Sequence, residues 1–233
     1  MKYLIADFVT EFEPKFNVLK NLAKPFEYNG NRETEMKLSV SDEYIKRLLS
    51  KMTEETTIEQ AEEFAYSSAF NRSIIAHNAV FVHSSAILYE GGAYLFSAPS
   101  GVGKSTHTKL WKEAFGDKVQ IINDDKPVVR IFDDKCIVYG TPFDGGSGIA
   151  NNLSAPLKAI VFIERGESNS IRKADIPEIL SQLYFSTVHY LNKDLADKML
   201  TNFENLINHC DFYILKCNME ISAAYTARNA IVK

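Results

Sequence analysis

The chain has 233 residues, 45% of them apolar, 12% aromatic and 24% charged, which is enough apolar mass for a buried core and too little bias for disorder, collagen or coiled coil. Lysine and arginine number 26 against 30 aspartate and glutamate, a net charge of −4, so there is no basic excess to displace counterions from nucleic acid. Three cysteines, Cys136, Cys210 and Cys217, form an odd set without metal-ligand spacing and suit a reducing compartment as buried thiols. The apolar run before Asp7 is only Tyr3-Leu4-Ile5-Ala6, too short for a secretory apolar segment, and no apolar run reaches the roughly 18 residues of a membrane span. A cytoplasmic chain with no membrane partner is expected.

In chain order, residues 3 to 9 read as a strand. Residues 39 to 52 and 57 to 76 carry apolar side chains at helical spacing behind starts at Ser41 and Thr57. Nothing chemical stands out in this leading part, so residues 1 to 78 are taken as an N-terminal α+β appendage and 79 to 233 as the main domain. From Ala79 the period shortens: Val80 to Leu88, a turn at Glu90-Gly91-Gly92, and Ala93 to Ser97 predict two strands joined as a hairpin. A helix over 104 to 115 and a strand over 118 to 123 follow. Val128 to Phe132 and Cys136 to Tyr139 predict a hairpin turning at Asp133-Asp134. A strand at 158 to 164, helices at about 175 to 185 and 194 to 208, a strand at 212 to 216 and a helix from about 219 complete an α/β pattern.

The informative stretch is Ala98-Pro99-Ser100-Gly101-Val102-Gly103-Lys104-Ser105-Thr106. It meets the phosphate-loop pattern G-x-x-x-x-G-K-S/T except that Ala98 stands where the first glycine is usual, which is tolerable if φ there is negative. Gly101 and Gly103 let the backbone turn its N–H groups around a phosphate, and the helix N-terminus adds partial positive charge. Lys104 would reach the transferred phosphoryl group and Ser105 would hold magnesium. The loop lies between an apolar strand ending at Phe96 and a helix carrying Leu110, Trp111 and Phe115, the context the mechanism needs. Ser100, Gly101, Val102, Gly103, Lys104, Ser105 and Thr106 are therefore the expected nucleotide-binding set.

The strand after that helix ends in Asn123-Asp124-Asp125. Of two carboxylates beside a bound triphosphate, one can hold magnesium while the other accepts the proton of an attacking hydroxyl. Asp-Asp-Lys recurs at 133 to 135, where a hairpin turn accounts for it. His83 lies in Val80-Phe81-Val82-His83-Ser84-Ser85, upstream of Lys104. His107, in the first turn of the helix, faces either the nucleotide or solvent.

Together these strings resemble the HPr serine kinase/phosphorylase family, whose nucleotide domain is similar to that of phosphoenolpyruvate carboxykinase. The features carrying the resemblance are His83, the loop Ser100 to Ser105 and Asp124-Asp125. The likeness is stronger to small kinase-like relatives associated with peptide maturation, through His83-Ser84-Ser85, the loop string running to His107, and Asn123-Asp124-Asp125-Lys126-Pro127. It extends through Tyr139-Gly140-Thr141-Pro142 and Ala155-Pro156-Leu157 and covers roughly residues 79 to 172.

The resemblance implies a phosphoenolpyruvate carboxykinase-like mixed sheet. It implies Asp125 as base toward a serine hydroxyl, Asp124 helping to organise the metal, His83 and Lys104 as catalytic partners, and Asp144 as a further metal ligand beside Ser105 and Asp124. Phe143 and Gly146 stand where those relatives commonly carry Trp and Lys. Glu164 to Asn169 keeps only fragments of the loop serving reverse phosphorolysis, and Arg165 and Arg172 are read equally well as phosphate contacts or as solvated side chains. The expected activity is an ATP-dependent, magnesium-requiring kinase acting on a hydroxyl of a protein or peptide. The alternatives are a nucleotide-binding regulator or assembly factor that transfers nothing, and small-molecule chemistry on the same nucleotide scaffold. The loop reads phosphates, which leaves GTP and pyrophosphate open as donors; the larger relatives form homo-oligomers, and that state is open here.

Overall fold

A computed structural model describes residues 1 to 187 and 191 to 232. The chain starts with β1 (Lys2–Ile5) and β2 (Phe8–Glu11), an antiparallel pair. The single strand expected over 3 to 9 is therefore two strands. Ala6 and Asp7 both take positive φ, 49° and 60°, the geometry of a two-residue hairpin turn that twists with its strands. Helix α1 (Asn17–Ala23), β3 (Met36–Lys37), α2 (Asp42–Leu49) and α3 (Ile58–Ile75) follow. Ser41 and Thr57 are the N-caps of α2 and α3, each accepting from a backbone N–H in the first turn, and Gln60 closes a capping box on Thr57.

The expected strand from Val80 to Leu88 is divided into β4 (Ala79–Phe81) and β5 (Ser84–Tyr89). Val82 and His83 form the break, and the two pieces pair with different partners. The remaining elements are β6 (Gly92–Ser97), α4 (Lys104–Phe115), β7 (Val119–Asp125), β8 (Val128–Ile131), β9 (Cys136–Tyr139), β10 (Ser154–Arg165), β11 (Ser170–Lys173), α5 (Ile176–Ser186), α6 (Lys193–His209), β12 (Asp211–Cys217) and α7 (Ser222–Ile231). Helix α4 spans the expected residues, and Asp133-Asp134 turns the β8–β9 hairpin. Val188, His189 and Tyr190, after α5, lie outside the described residues.

Apart from the small sheet of β1, β2 and β3, the strands form one mixed sheet. Its first part, β4-β8-β9, is antiparallel; β10 then runs on between β6 and β12, parallel to both, while β5 lies antiparallel between β6 and β7. Both faces are covered, which is why the β10 sequence Ala159-Ile160-Val161-Phe162-Ile163 is continuously apolar. Ile160 and Phe162 pack with Leu183 of α5 and Phe203 and Leu206 of α6, whereas Val161 and Ile163 pack with Trp111 of α4 and Ala227 and Ile231 of α7. A further apolar cluster joins Tyr3, Phe8 and Phe70 to Phe81, Val128 and Phe143, so side chains from both sides of position 78 share one core.

Register decides what meets at the edge of the sheet. Ser84 opens β5 opposite Ser97 at the end of β6 and opposite Asp125 at the end of β7. The ends of β10 and β12 lie on the same edge, because Phe162 is paired with both Ser97 and Ile214 in parallel register. Across that edge the order is β7, β5, β6, β10, β12.

Candidate active site

The loop between β6 and α4 is built as its glycines require. Gly101 and Gly103 take φ of 78° and 129°, and a methyl group at either would meet nothing within 4 Å; they are needed for backbone direction, not for room. The described non-glycine residues with positive φ are Ala6, Asp7, Asn78 and Glu90. Ala98 therefore keeps an ordinary backbone, and its methyl joins the apolar cluster under the loop. Lys104 folds back to donate to the Ala98 carbonyl at 3.0 Å. Burial draws its ammonium below the usual lysine range against the upward pull of Asp125 and Asp124.

A cavity of about 420 Å³ opens in front of this loop. Ser100, Gly101, Gly103, Lys104, Ser105 and Thr106 form one wall; His83, Asp124 and Asp125 form another, and Asp144 to Ser147 close the third side. Every sequence-predicted site residue but one therefore borders a single space. The exception is Val102, which lines a second cavity. His107 is outside the first cavity as well. It is buried, with its ring 4.6 Å from that of Phe96, and it accepts a hydrogen bond from the Trp111 indole at 3.0 Å. It faces neither the cavity in front of the loop nor open solvent, and it borders the second cavity. Arg165 donates to the carbonyls of Gly101 and Val102, bracing the loop, and Arg172 is paired with Glu178.

The two adjacent aspartates have separate partners. Asp124 accepts from the Ser105 hydroxyl at 3.0 Å. Asp125 has one oxygen 3.0 Å from His83 Nε2 and the other 3.3 Å from Lys126 Nζ. Burial pushes the Asp125 carboxyl up, but the hydrogen bond from His83 and the Lys126 ammonium outweigh it and hold it below the ordinary range. Lys126 continues the chain, its Nζ 3.1 Å from Glu63 of α3. Burial alone would draw Lys126 down; placed between Glu63 and Asp125 it is held above the usual lysine value and stays charged.

Sequence reading missed Glu63 and Lys126. Lys126 stands in the Asp-Asp-Lys-Pro string but reads there as turn chemistry, and Glu63 is one acidic residue among several on a helix without any motif. Pairing across 63 positions is visible only in three dimensions.

The loop after β9 is tied down by Asn123, which is fully buried and donates to the carbonyls of Thr141 and Phe143 at 3.0 and 3.2 Å. Its side-chain oxygen accepts from the Lys126 amide at 2.7 Å. Gly145, with φ of 61°, passes so close to Asp125 that a methyl group there would overlap the carboxylate. Asp144 accepts from the Gly146 amide at 3.0 Å through one oxygen, while the other is buried with no hydrogen-bond partner. An orphaned carboxylate oxygen bordering a polar cavity suits a cation. Among the described residues no three His, Cys, Asp or Glu side chains converge closely enough to hold a metal by themselves. The donor set Ser105, Asp124 and Asp144 is oxygen-only, and it fits magnesium, which keeps waters and takes few protein ligands.

No family model matches the chain, and no curated protein does. Among solved structures the chain is similar to the HPr(Ser) kinase/phosphatase from Coxiella burnetii, at 12% identity and a TM-score of 0.37, over 64% of this chain and 95% of that one. A likeness that distant carries no argument about fold or activity, so the function rests on the geometry above. No helix among the described residues is long and apolar enough to cross a membrane.

Proposed function

We propose that the chain is an ATP-dependent, magnesium-requiring kinase that transfers the terminal phosphoryl group to a hydroxyl, that of a serine in a protein or peptide. The observation carrying this reading is the Asp125 carboxylate fixed between His83 and Lys126 across one cavity from the phosphate loop and Lys104. The loop amides and the N-terminus of α4 bind the phosphates. Lys104 leaves the Ala98 carbonyl to neutralise charge on the transferred group. Asp125, ionised at neutral pH, accepts the proton of the acceptor hydroxyl as that oxygen attacks the terminal phosphorus and the bond to the bridging oxygen breaks, releasing the nucleoside diphosphate. His83 keeps the carboxylate turned toward the acceptor. Ser105, Asp124 and Asp144 would hold magnesium, which supplies charge neutralisation at the phosphates.

The test is phosphate transfer from Mg·ATP labelled at the terminal position to serine-containing peptides, together with nucleotide binding by calorimetry. Binding with turnover that is lost in Lys104→Ala supports the kinase. Binding without turnover toward any hydroxyl would instead favour a nucleotide-dependent regulator, and absence of binding would remove both.

A further inference from the structure

A kinase site needs a hydroxyl between its donor and its base, and this chain carries one of its own on the third side of the cavity. We infer that Ser147 is a phosphorylation site of the chain itself, taking the terminal phosphoryl group of the nucleotide bound in its own phosphate loop; this rests on the kinase reading above.

Four hydroxyl side chains border the cavity: Ser100, Ser105, Thr106 and Ser147. The first three belong to the phosphate loop and the first turn of α4, on the donor's side, and Ser105 is engaged with Asp124. Ser147 comes from the segment after β9, and both ends of that segment are fixed to β7, the strand that ends in Asp125. At one end Asn123 holds the carbonyls of Thr141 and Phe143; at the other Asn123 is bridged to Ala150, and the Asn151 amide side chain donates to the Ile121 carbonyl at 2.8 Å. Between these anchors the tip leans on the base itself, since Gly145 lies against the Asp125 carboxylate. Two residues of backbone span at most about 7 Å, so Ser147 stays close to the group that would take its proton.

The turn also ties Ser147 to a residue on the donor's side of the reaction. Asp144 accepts from the Gly146 amide through a carboxylate oxygen at 3.0 Å and from the Ser147 amide through its carbonyl at 3.2 Å, while its second carboxylate oxygen has no partner.

Ser147 is exposed, and its neighbours Gly146 and Gly148 carry no side chain to shield it. Its hydroxyl oxygen accepts from the Ile149 amide at 3.2 Å, a bond that uses one lone pair and leaves the other for attack and the O–H proton for transfer. In the step, Ser147 Oγ bonds to the terminal phosphorus, the bond to the bridging oxygen breaks, the nucleoside diphosphate leaves and Asp125 takes the hydroxyl proton. Acceptor and donor sit in one chain, which makes the transfer unimolecular.

The experiment incubates the full chain with Mg·ATP labelled at the terminal position, without a peptide, and locates the label by fragmentation mass spectrometry. One phosphate per chain on Ser147 is expected, with a first-order rate constant unchanged when the protein is diluted about tenfold. Ser147→Ala is expected to lose the label, and Ser147→Thr, which restores a hydroxyl, to carry it at the same position. Label on another residue, or none on a chain that phosphorylates a serine peptide, would overturn the self-phosphorylation and leave the kinase reading standing. A rate constant that rises with protein concentration would place the transfer between copies and overturn it as well. If neither the chain nor any peptide were labelled, the kinase reading would fall with it.

Discussion

His107 makes the interior of α4 sensitive to acid in a way that can be worked out in advance. Its ring is 2% exposed, against Phe96 and Trp111, and burial draws its pKa from 6.5 down to about 4. Because an indole N–H only donates, the bond from Trp111 makes Nε2 the acceptor and puts the ring proton on Nδ1, which has no hydrogen-bond partner. The folded state thus holds the neutral imidazole, while the unfolded chain takes up a proton below about 6.5. Stability is complete above that pH, falls as pH drops toward about 4, and is level in this respect below it. At about 1.4 kcal/mol per pH unit, the gap between 6.5 and about 4 is worth about 3 kcal/mol. The assay is urea unfolding at pH 7, 6, 5 and 4, followed by fluorescence of Trp111, the single tryptophan, in the wild type and in His107→Gln. The glutamine oxygen can still accept from the indole, so the variant is expected to lose about 1 kcal/mol at pH 7. The two stabilities should converge and then cross as the pH falls, since the carboxylates contribute equally to both. Parallel curves for wild type and variant would refute the reasoning.

The other predictions concern the site itself. Asp125→Asn should leave calorimetric affinity for Mg·ATP within a fewfold of wild type and lower phosphate transfer by about 10² to 10⁴; unchanged transfer would remove Asp125 as the base. Gly103→Ala introduces a methyl group that meets no atom within 4 Å, yet should cost about 1 to 3 kcal/mol in urea unfolding, because φ of 129° is hostile to any side chain. Lys126→Met leaves the Glu63 and Asp125 carboxylates without their shared cation, and about 3 to 5 kcal/mol of stability should be lost. The same variant frees Asp125 on one side, so phosphate transfer should fall even at temperatures where circular dichroism shows it fully folded.

How far the site was readable depends on how local its causes are. The loop from Ala98 to Thr106 was readable because backbone direction, helix polarity and the Gly-Lys-Ser triplet are fixed within nine residues. The caps at Ser41 and Thr57 were readable for the same reason: donor and acceptor are three residues apart. Between strands at greater separation, the reading was right about existence and wrong about division. Residues 3 to 9 look like one strand because Ala6 carries no turn signature, and only the pairing of Ile5 with Phe8 puts the turn there. His83 was picked out by its string, but its closeness to Asp125 follows from β5 pairing with β7, with Ser84 facing Asp125.

By itself, then, the sequence determined an α/β chain with a glycine-turned loop ahead of α4 and an acidic strand end after it, because those features depend on neighbours a few residues away. The tertiary structure alone decided that Glu63, from the leading helices, completes an ion chain through Lys126 to Asp125, and that Gly145 closes on the same carboxylate. It also turned His107 inward and opened a second, apolar cavity behind the loop. These depend on sheet register and helix packing, which bring together residues tens of positions apart.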